Sequence, residues 1–337
     1  MKPVFIRRNA SLLLAVILIC ASCGILEARR PENGNSLNYS GNGAQVSGPG
    51  QVLDIAPPEV PLAEKAAASG LAMPKAQGAE VYSNTKVAFD VSNTGEGYVM
   101  VKYTGTSQAA LKVLLTCPSG VTYTYTLNNQ GDYEVYPLSE GSGSYKVGAY
   151  QNIGGTKYST LFSKTISVKL KDEFGPFLLP NQYVNYKEDS EAVKKAAELT
   201  KNSKDELEKV SAVYGFVINH LTYDQEKAKT VKSGYLPVVD DVLKEKKGIC
   251  FDYAALMAAM LRSQGVPTKL VVGYTGQIYH AWLNTYSEES GWVEGIIFFD
   301  GTTWKLMDPT FASSAKSDEK IMEYISDDDN YTAKYLY

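Results

Sequence analysis

Cys250, His280 and Asp308 carry the side chains that thiol-based acyl transfer requires: a nucleophile, a base and a carboxylate to orient the base. Thirty residues separate the first two and 28 the second two, so no single helix or strand can hold all three. They can meet only where a helix end packs across two neighbouring strands. Cys250 opens an apolar, helix-forming run, GICFDYAALMAAMLRSQG over residues 248–265, whereas His280 lies in strand-like YHAWLNTY and Asp308 in WKLMDPTF. A helix N-terminus presents unpaired N–H groups and positive partial charge, which favours thiolate over thiol. A nearby imidazole strengthens that preference and can protonate a leaving amine. His280 suits this role better than His220, which ends an amphipathic pattern and is expected to meet the carbonyls at its own helix C-terminus. Asp308 would accept a hydrogen bond from the other ring nitrogen and fix the tautomer, with Pro309 restricting its backbone.

The product of such a site is an acyl-enzyme thioester. Water resolving it gives hydrolysis, and an amine resolving it gives amide transfer. The tetrahedral intermediate also needs an oxyanion donor, for which the Cys250 backbone N–H and the Tyr235 hydroxyl are candidates. Asp252 reads as favourable charge in a helix first turn and as a link to a neighbouring loop. Trp282 and Trp304 read as packing residues, and Asp327 to Asp329 as a solvated turn. No metal cluster, phosphate-cradling loop or nucleotide motif is present in the sequence, so no cofactor is expected.

The elements that would position these residues form an α+β series. Residues 190–201 predict a short amphipathic helix, and Ser203 with Glu206 predicts a capping box for a longer one lined by Leu207, Val210, Tyr214, Val217, Ile218 and Leu221. A further turn or two over residues 240–247 is expected to end at Gly248, ahead of the Cys250 helix. KLVVGYT, IYHAWLNTYS, GIIFFD and TTWKLMD then predict an antiparallel sheet, with Asp300-Gly301 as a hairpin turn. Upstream, residues 85–172 alternate with period two and are rich in Val, Thr and Tyr. About seven strands in that span predict an immunoglobulin-like β-sandwich. Cys117 ends one of those strands and reads as a buried apolar residue. Many of the 24 tyrosines fit strand propensity, and an exposed subset on the sandwich could bind glycans or peptides. Gly175-Pro176 and Pro180-Asn181 mark the boundary to a second domain over residues 180–337.

Residues 1–22 place Arg7 and Arg8 ahead of the apolar run SLLLAVILIC, as a signal peptide does. Ala21 and Ser22 followed by Cys23 predict lipidation of that cysteine, with a secreted product as the alternative. Residues 23–84 are rich in Gly, Asn, Ser, Pro and Ala and predict a disordered tether lifting the folded part off a membrane surface. The expected location is therefore the exterior face of a bacterial cell. Few cysteines then remain, which excludes a disulfide scaffold. The net charge of −4 with no basic run beyond the N-terminus excludes nucleic acid as a partner.

GICFDYAALMAAMLRSQGVPTKLVVGY, then YHAW, then WKLMDPTF, resembles the transglutaminase-like superfamily over about residues 185–315, and NHLTYDQEKA resembles the segment ahead of its catalytic helix. The resemblance implies a papain-like core in which Cys250 is the nucleophile, His280 the base and Asp308 its orienting residue. Members include cross-linkers, peptidases, other amidases and inactive relatives. The expected function is cysteine-dependent acyl transfer on amide bonds of surface protein or wall peptide, with hydrolysis favoured over cross-linking. The alternative is an inactive surface binding or assembly module that uses the sandwich for recognition.

Overall fold

A computed structural model describes residues 71–276, 278–288, 291–293, 297–299, 304–306 and 331–337. The N-terminal part has eight strands: β1 (Val81–Ser83), β2 (Val87–Asp90), β3 (Tyr98–Tyr103), β4 (Leu111–Thr116), β5 (Thr122–Leu127), β6 (Glu134–Pro137), β7 (Gly143–Gly154) and β8 (Lys157–Val168). They form two antiparallel sheets, ordered β1-β2-β3-β6 and β5-β4-β7-β8, and the chain crosses between them after β3, β5 and β6. In β4 and β5 every second residue is buried, the pattern of a sheet with one face on the core. Ring contacts join the sheets: Phe89 of β2 with Phe162 of β8 at 5.1 Å, and Tyr125 of β5 with Tyr136 of β6 at 5.0 Å. The folded part starts earlier than residue 85. β1 precedes it, and Gly78 N–H donates to Asp90 at 2.7 Å while the Asn93 amide donates to the Lys75 carbonyl at 2.7 Å. Residues 71–84 therefore belong to the sandwich rather than to a tether, and the expected signal peptide, Cys23 and the rest of the tether to residue 70 lie outside the described residues.

The second part runs α1 (Glu191–Thr200), α2 (Glu206–His220), β9 (Thr222–Tyr223), α3 (Gln225–Thr230), α4 (Val239–Glu245), β10 (Lys247–Gly248), α5 (Cys250–Ser263), β11 (Thr268–Thr275) and β12 (Ile278–Ser287), followed by β13 (Gly291–Val293), β14 (Ile297–Phe299), β15 (Trp304–Leu306) and β16 (Tyr331–Leu336). The main sheet is antiparallel, in the order β13-β12-β11-β16. β14 and β15 pair with each other as the hairpin reading requires, although among the described residues they form a separate ladder. The turn between them lies outside the described residues. The C-terminal strand β16 has no counterpart in the sequence reading.

Two helix ends differ from expectation. Asp205 caps α2 by accepting from Glu208 N–H at 2.8 Å, so a carboxylate replaces the expected Ser203 cap. α4 ends at Glu245, with Lys246 in the left-handed region at φ 58°, so Gly248 is not its cap.

α5 is enclosed. Thirteen of its 14 residues, Cys250 to Arg262, are buried. A helix apolar all round must be packed on every side, and α1, α2, α4, β11 and β12 supply that packing. At its C-terminal end Arg262 is 2% exposed and acts as a tie. Its Nε and Nη2 donate to the Thr268 carbonyl at 2.9 and 2.7 Å, Nη2 also to the Tyr337 carbonyl at 2.5 Å, and Nη1 to the Leu179 carbonyl at 2.8 Å. Burial pulls its pKa down to about 10, which still leaves it charged at neutral pH. One guanidinium thereby joins α5, the start of β11, the end of β16 and the interdomain segment. Arg262→Met is expected to lower stability by about 3 kcal/mol or more, because the Thr268 and Leu179 carbonyls lose their guanidinium donors and the Tyr337 oxygen is left with the Leu270 N–H. Urea unfolding checks this, and Arg262→Lys, lacking the fork, should recover only part of the loss.

Candidate active site

The chain enters α5 through a short parallel ladder in which Thr222 and Tyr223 of β9 pair with Lys247 and Gly248 of β10. Ile249 is the cap residue, so Cys250 occupies the first helical position. Its sulfur therefore sits at the positive end of the helix, as the sequence requires. The turn is held by Asp252, whose carboxylate folds back so that Oδ2 accepts from Ile249 N–H at 2.8 Å. Gly248 makes that possible. A Cβ there would lie 2.5 Å from the Asp252 Cβ.

Asp252 is fully buried and has further partners. The Tyr235 hydroxyl donates to Oδ1 at 2.5 Å, and Lys227 Nζ lies 2.7 Å from Oδ2. Lys227 also donates to the Tyr235 oxygen at 2.6 Å and stands 4.3 Å from the Tyr235 ring centre. Burial first, then the Asp252 charge, pushes the Tyr235 pKa well above its usual range, so the phenol stays protonated and donates. Lys227 arrives because Asp224 caps α3, accepting from Lys227 N–H at 2.9 Å.

His280 lies on β12 opposite Gly273 of β11 and is 1% exposed. Its ring stacks with Trp282 at 6.3 Å and an interplanar angle of 16°. Gly273 sits at a bulge between β11 and β16, and a Cβ there would come within 2.9 Å of the Trp282 ring. Cys250 and His280 line one small cavity, walled by the aromatic residues Tyr183, Phe251, Tyr279 and Tyr337. Tyr183 and Tyr337 stack at 3.7 Å, and Tyr183 contacts Phe251 at 5.6 Å. Burial raises the hydroxyl pKa values of Tyr183, Tyr279 and Tyr337, so none of them gives up a proton near neutral pH. Cys250 is also 1% exposed.

Residues 193–295 match the family described as the transglutaminase-like superfamily. This segment is a transglutaminase-like domain. Among relatives, the Bacillus subtilis (strain 168) protein YebA is 25% identical over 193 residues, covering 49% of this chain and 25% of YebA. The kyphoscoliosis peptidase of Mus musculus is 28% identical over 118 residues, covering 35% of this chain and 17% of the peptidase. The chain thus spans a quarter or less of the length of these relatives. Red sea bream transglutaminase, a solved structure, aligns with 14% identity and a TM-score of 0.28, covering 63% of this chain and 48% of that one.

Within the transglutaminase-like domain the structure brings together Cys250 and His280 and supports Trp282 as a packing residue. Asp308 and Asp327 to Asp329 lie outside the described residues, and Trp304 falls in β15. Tyr235 has a different place from the oxyanion role expected of it, since its proton goes to Asp252 and it is not among the residues lining the cavity. His220 reaches across to the Leu243 carbonyl of α4 at 2.9 Å and stacks on Phe216, rather than meeting its own helix end. Sequence reasoning missed Lys227 and the tyrosine wall. An Asp-x-x-Lys pattern at a helix start was the available signal for the first, while strand propensity concealed the second. Gly248→Ala is expected to destabilise the domain by about 1–3 kcal/mol through collision with Asp252. An unchanged urea midpoint would contradict the fold-back as the feature that demands glycine.

Proposed function

We propose that the protein is a cysteine-dependent acyl-transfer enzyme acting on amide bonds, with Cys250 as nucleophile, His280 as base and Asp308 as the residue that orients the imidazole. One observation carries this reading: a cysteine at the first position of a buried helix and a histidine on the adjacent strand line the same cavity. His280 takes the thiol proton, and the thiolate attacks the amide carbonyl carbon to form a C–S bond. Negative charge then develops on the carbonyl oxygen at the positive end of α5, where first-turn N–H groups stabilise it. The C–N bond breaks as the imidazolium gives its proton to the leaving amine, leaving a thioester. Water, deprotonated by His280, then attacks the thioester, releases a carboxylate and restores the thiol.

Hydrolysis is favoured over amine transfer because water is always at hand; the relatives do not divide the two, one bearing the name of a peptidase and another that of a protein-glutamine gamma-glutamyltransferase. An exported protein tethered through lipidated Cys23 would meet proteins or wall peptides as substrates, with the sandwich holding the domain above the membrane. Replacing Cys250 with Ala, or His280 with Ala, is expected to reduce turnover of a responsive peptide library about a thousandfold or more. A labelled primary amine separates the outcomes: release of free carboxylate with no label incorporated supports hydrolysis, whereas label joined to a protein acceptor supports cross-linking. Full turnover by Cys250→Ala would end the reading of Cys250 as nucleophile, whereas a parent protein without turnover, whose partner binding is unchanged in Cys250→Ala and His280→Ala, would favour a binding module.

A further inference from the structure

Lys227 and Asp252 form a half-buried ion pair in the helical turn that carries the nucleophile, and the acyl-transfer chemistry does not itself use it. Asp252 is fully buried, and the Lys227 side chain is 27% exposed. Fixing a carboxylate two residues from a thiolate, on a different side of the same helical turn, adds a like charge within the field that the sulfur feels, which disfavours the thiolate. Three things hold Asp252: Ile249 N–H at 2.8 Å, the Tyr235 hydroxyl at 2.5 Å and the Lys227 ammonium at 2.7 Å. Only the last brings a compensating charge.

We propose that Lys227 is a positioning residue for the Cys250 nucleophile, acting through Asp252. Its ammonium lets a buried carboxylate pin the first turn of α5 while cancelling that carboxylate's charge in the turn that carries the sulfur. The proposal rests on Cys250 being the nucleophile. Tyr235 completes the arrangement by orienting both partners, since it accepts from Lys227 and donates to Asp252. Among the described residues the other charged or titratable groups nearby are few. Asp241 and Glu245 of α4 act on Tyr235, and Asp224 is paired with Lys247 at 3.2 Å. Facing Cys250 itself are His280 and Tyr279 of β12, Tyr183 and Tyr337. Lys247 is engaged by Asp224, so Lys227 is the cation paired with Asp252 among the described residues.

The test is the pH dependence of Cys250 alkylation by iodoacetamide in the full chain, read by mass spectrometry of the Cys250 peptide. It requires no substrate. Lys227→Met is expected to move the alkylation midpoint up by about one pH unit, which is roughly tenfold slower labelling below the midpoint. Lys227→Arg, which keeps the charge, should stay close to the parent profile. Lys227→Met combined with Asp252→Asn removes both charges and should bring the midpoint back down, a recovery that a purely structural role would not give. If Lys227→Met fails to fold, Tyr235→Phe is the readout, with a smaller upward shift expected. A midpoint unchanged in folded Lys227→Met, or in Tyr235→Phe where that variant stands in, overturns the proposal and leaves the enzyme reading intact. A parent protein whose Cys250 is not selectively alkylated overturns the enzyme reading instead.

Discussion

The structure depends on enclosing α5. A helix with apolar residues all round its circumference cannot face water on any side, so other elements must surround it. Its polar needs are confined to its two ends, and each end receives a buried charge of the sign the helix dipole favours. Asp252 sits at the N-terminal turn and Arg262 in the last turn. Each is also a junction. Asp252 draws in α3 and the Tyr235 segment, while Arg262 draws in β11, β16 and the segment after the sandwich. A buried charge is tolerable only with partners, so the two ends fix what must surround the helix as firmly as its apolar face does.

This arrangement makes the sandwich part of the site's support. Tyr123 of β5 accepts from Leu336 N–H at 3.1 Å and meets the Tyr337 ring at 5.5 Å. Tyr125 touches Tyr183 and Tyr337 at 5.8 and 5.9 Å, and those two tyrosines wall the cavity. Gln182 binds both the N–H and the carbonyl of Thr126, occupying an edge of β5 that would otherwise be open. At the other side of the junction Phe174 and Phe177 pack on Trp292 at 6.0 and 5.5 Å. An aromatic seam therefore runs from the sandwich core to the helix that carries Cys250.

The parts legible in the sequence were those governed by local pattern. Alternation in Leu111–Thr116 and Thr122–Leu127 reported sandwich strands, and the unbroken apolar run after Cys250 reported a buried helix. The placement of Cys250 at a helix start and His280 on a strand followed from the same patterns. What stayed hidden depends on partners distant in the chain. Arg262 looks like an ordinary last-turn cation until Leu179 and Tyr337 are brought to it, and β16 acquires its place only by pairing with β11. Gly248 was misread because two roles, helix cap and close approach to Asp252, call for the same residue. The many tyrosines gave strand propensity but no sign of which would meet across the domain junction.

The central claim is that Cys250 forms a covalent bond to an acyl group, and the most direct measurement is the intact mass of the protein quenched in acid while it turns over an activated ester such as p-nitrophenyl acetate. The account predicts a single acetyl adduct, located on the Cys250 peptide, removed by neutral hydroxylamine and absent from Cys250→Ala. No adduct, or one found on Cys117 or on a lysine and unaffected by Cys250→Ala, would contradict it.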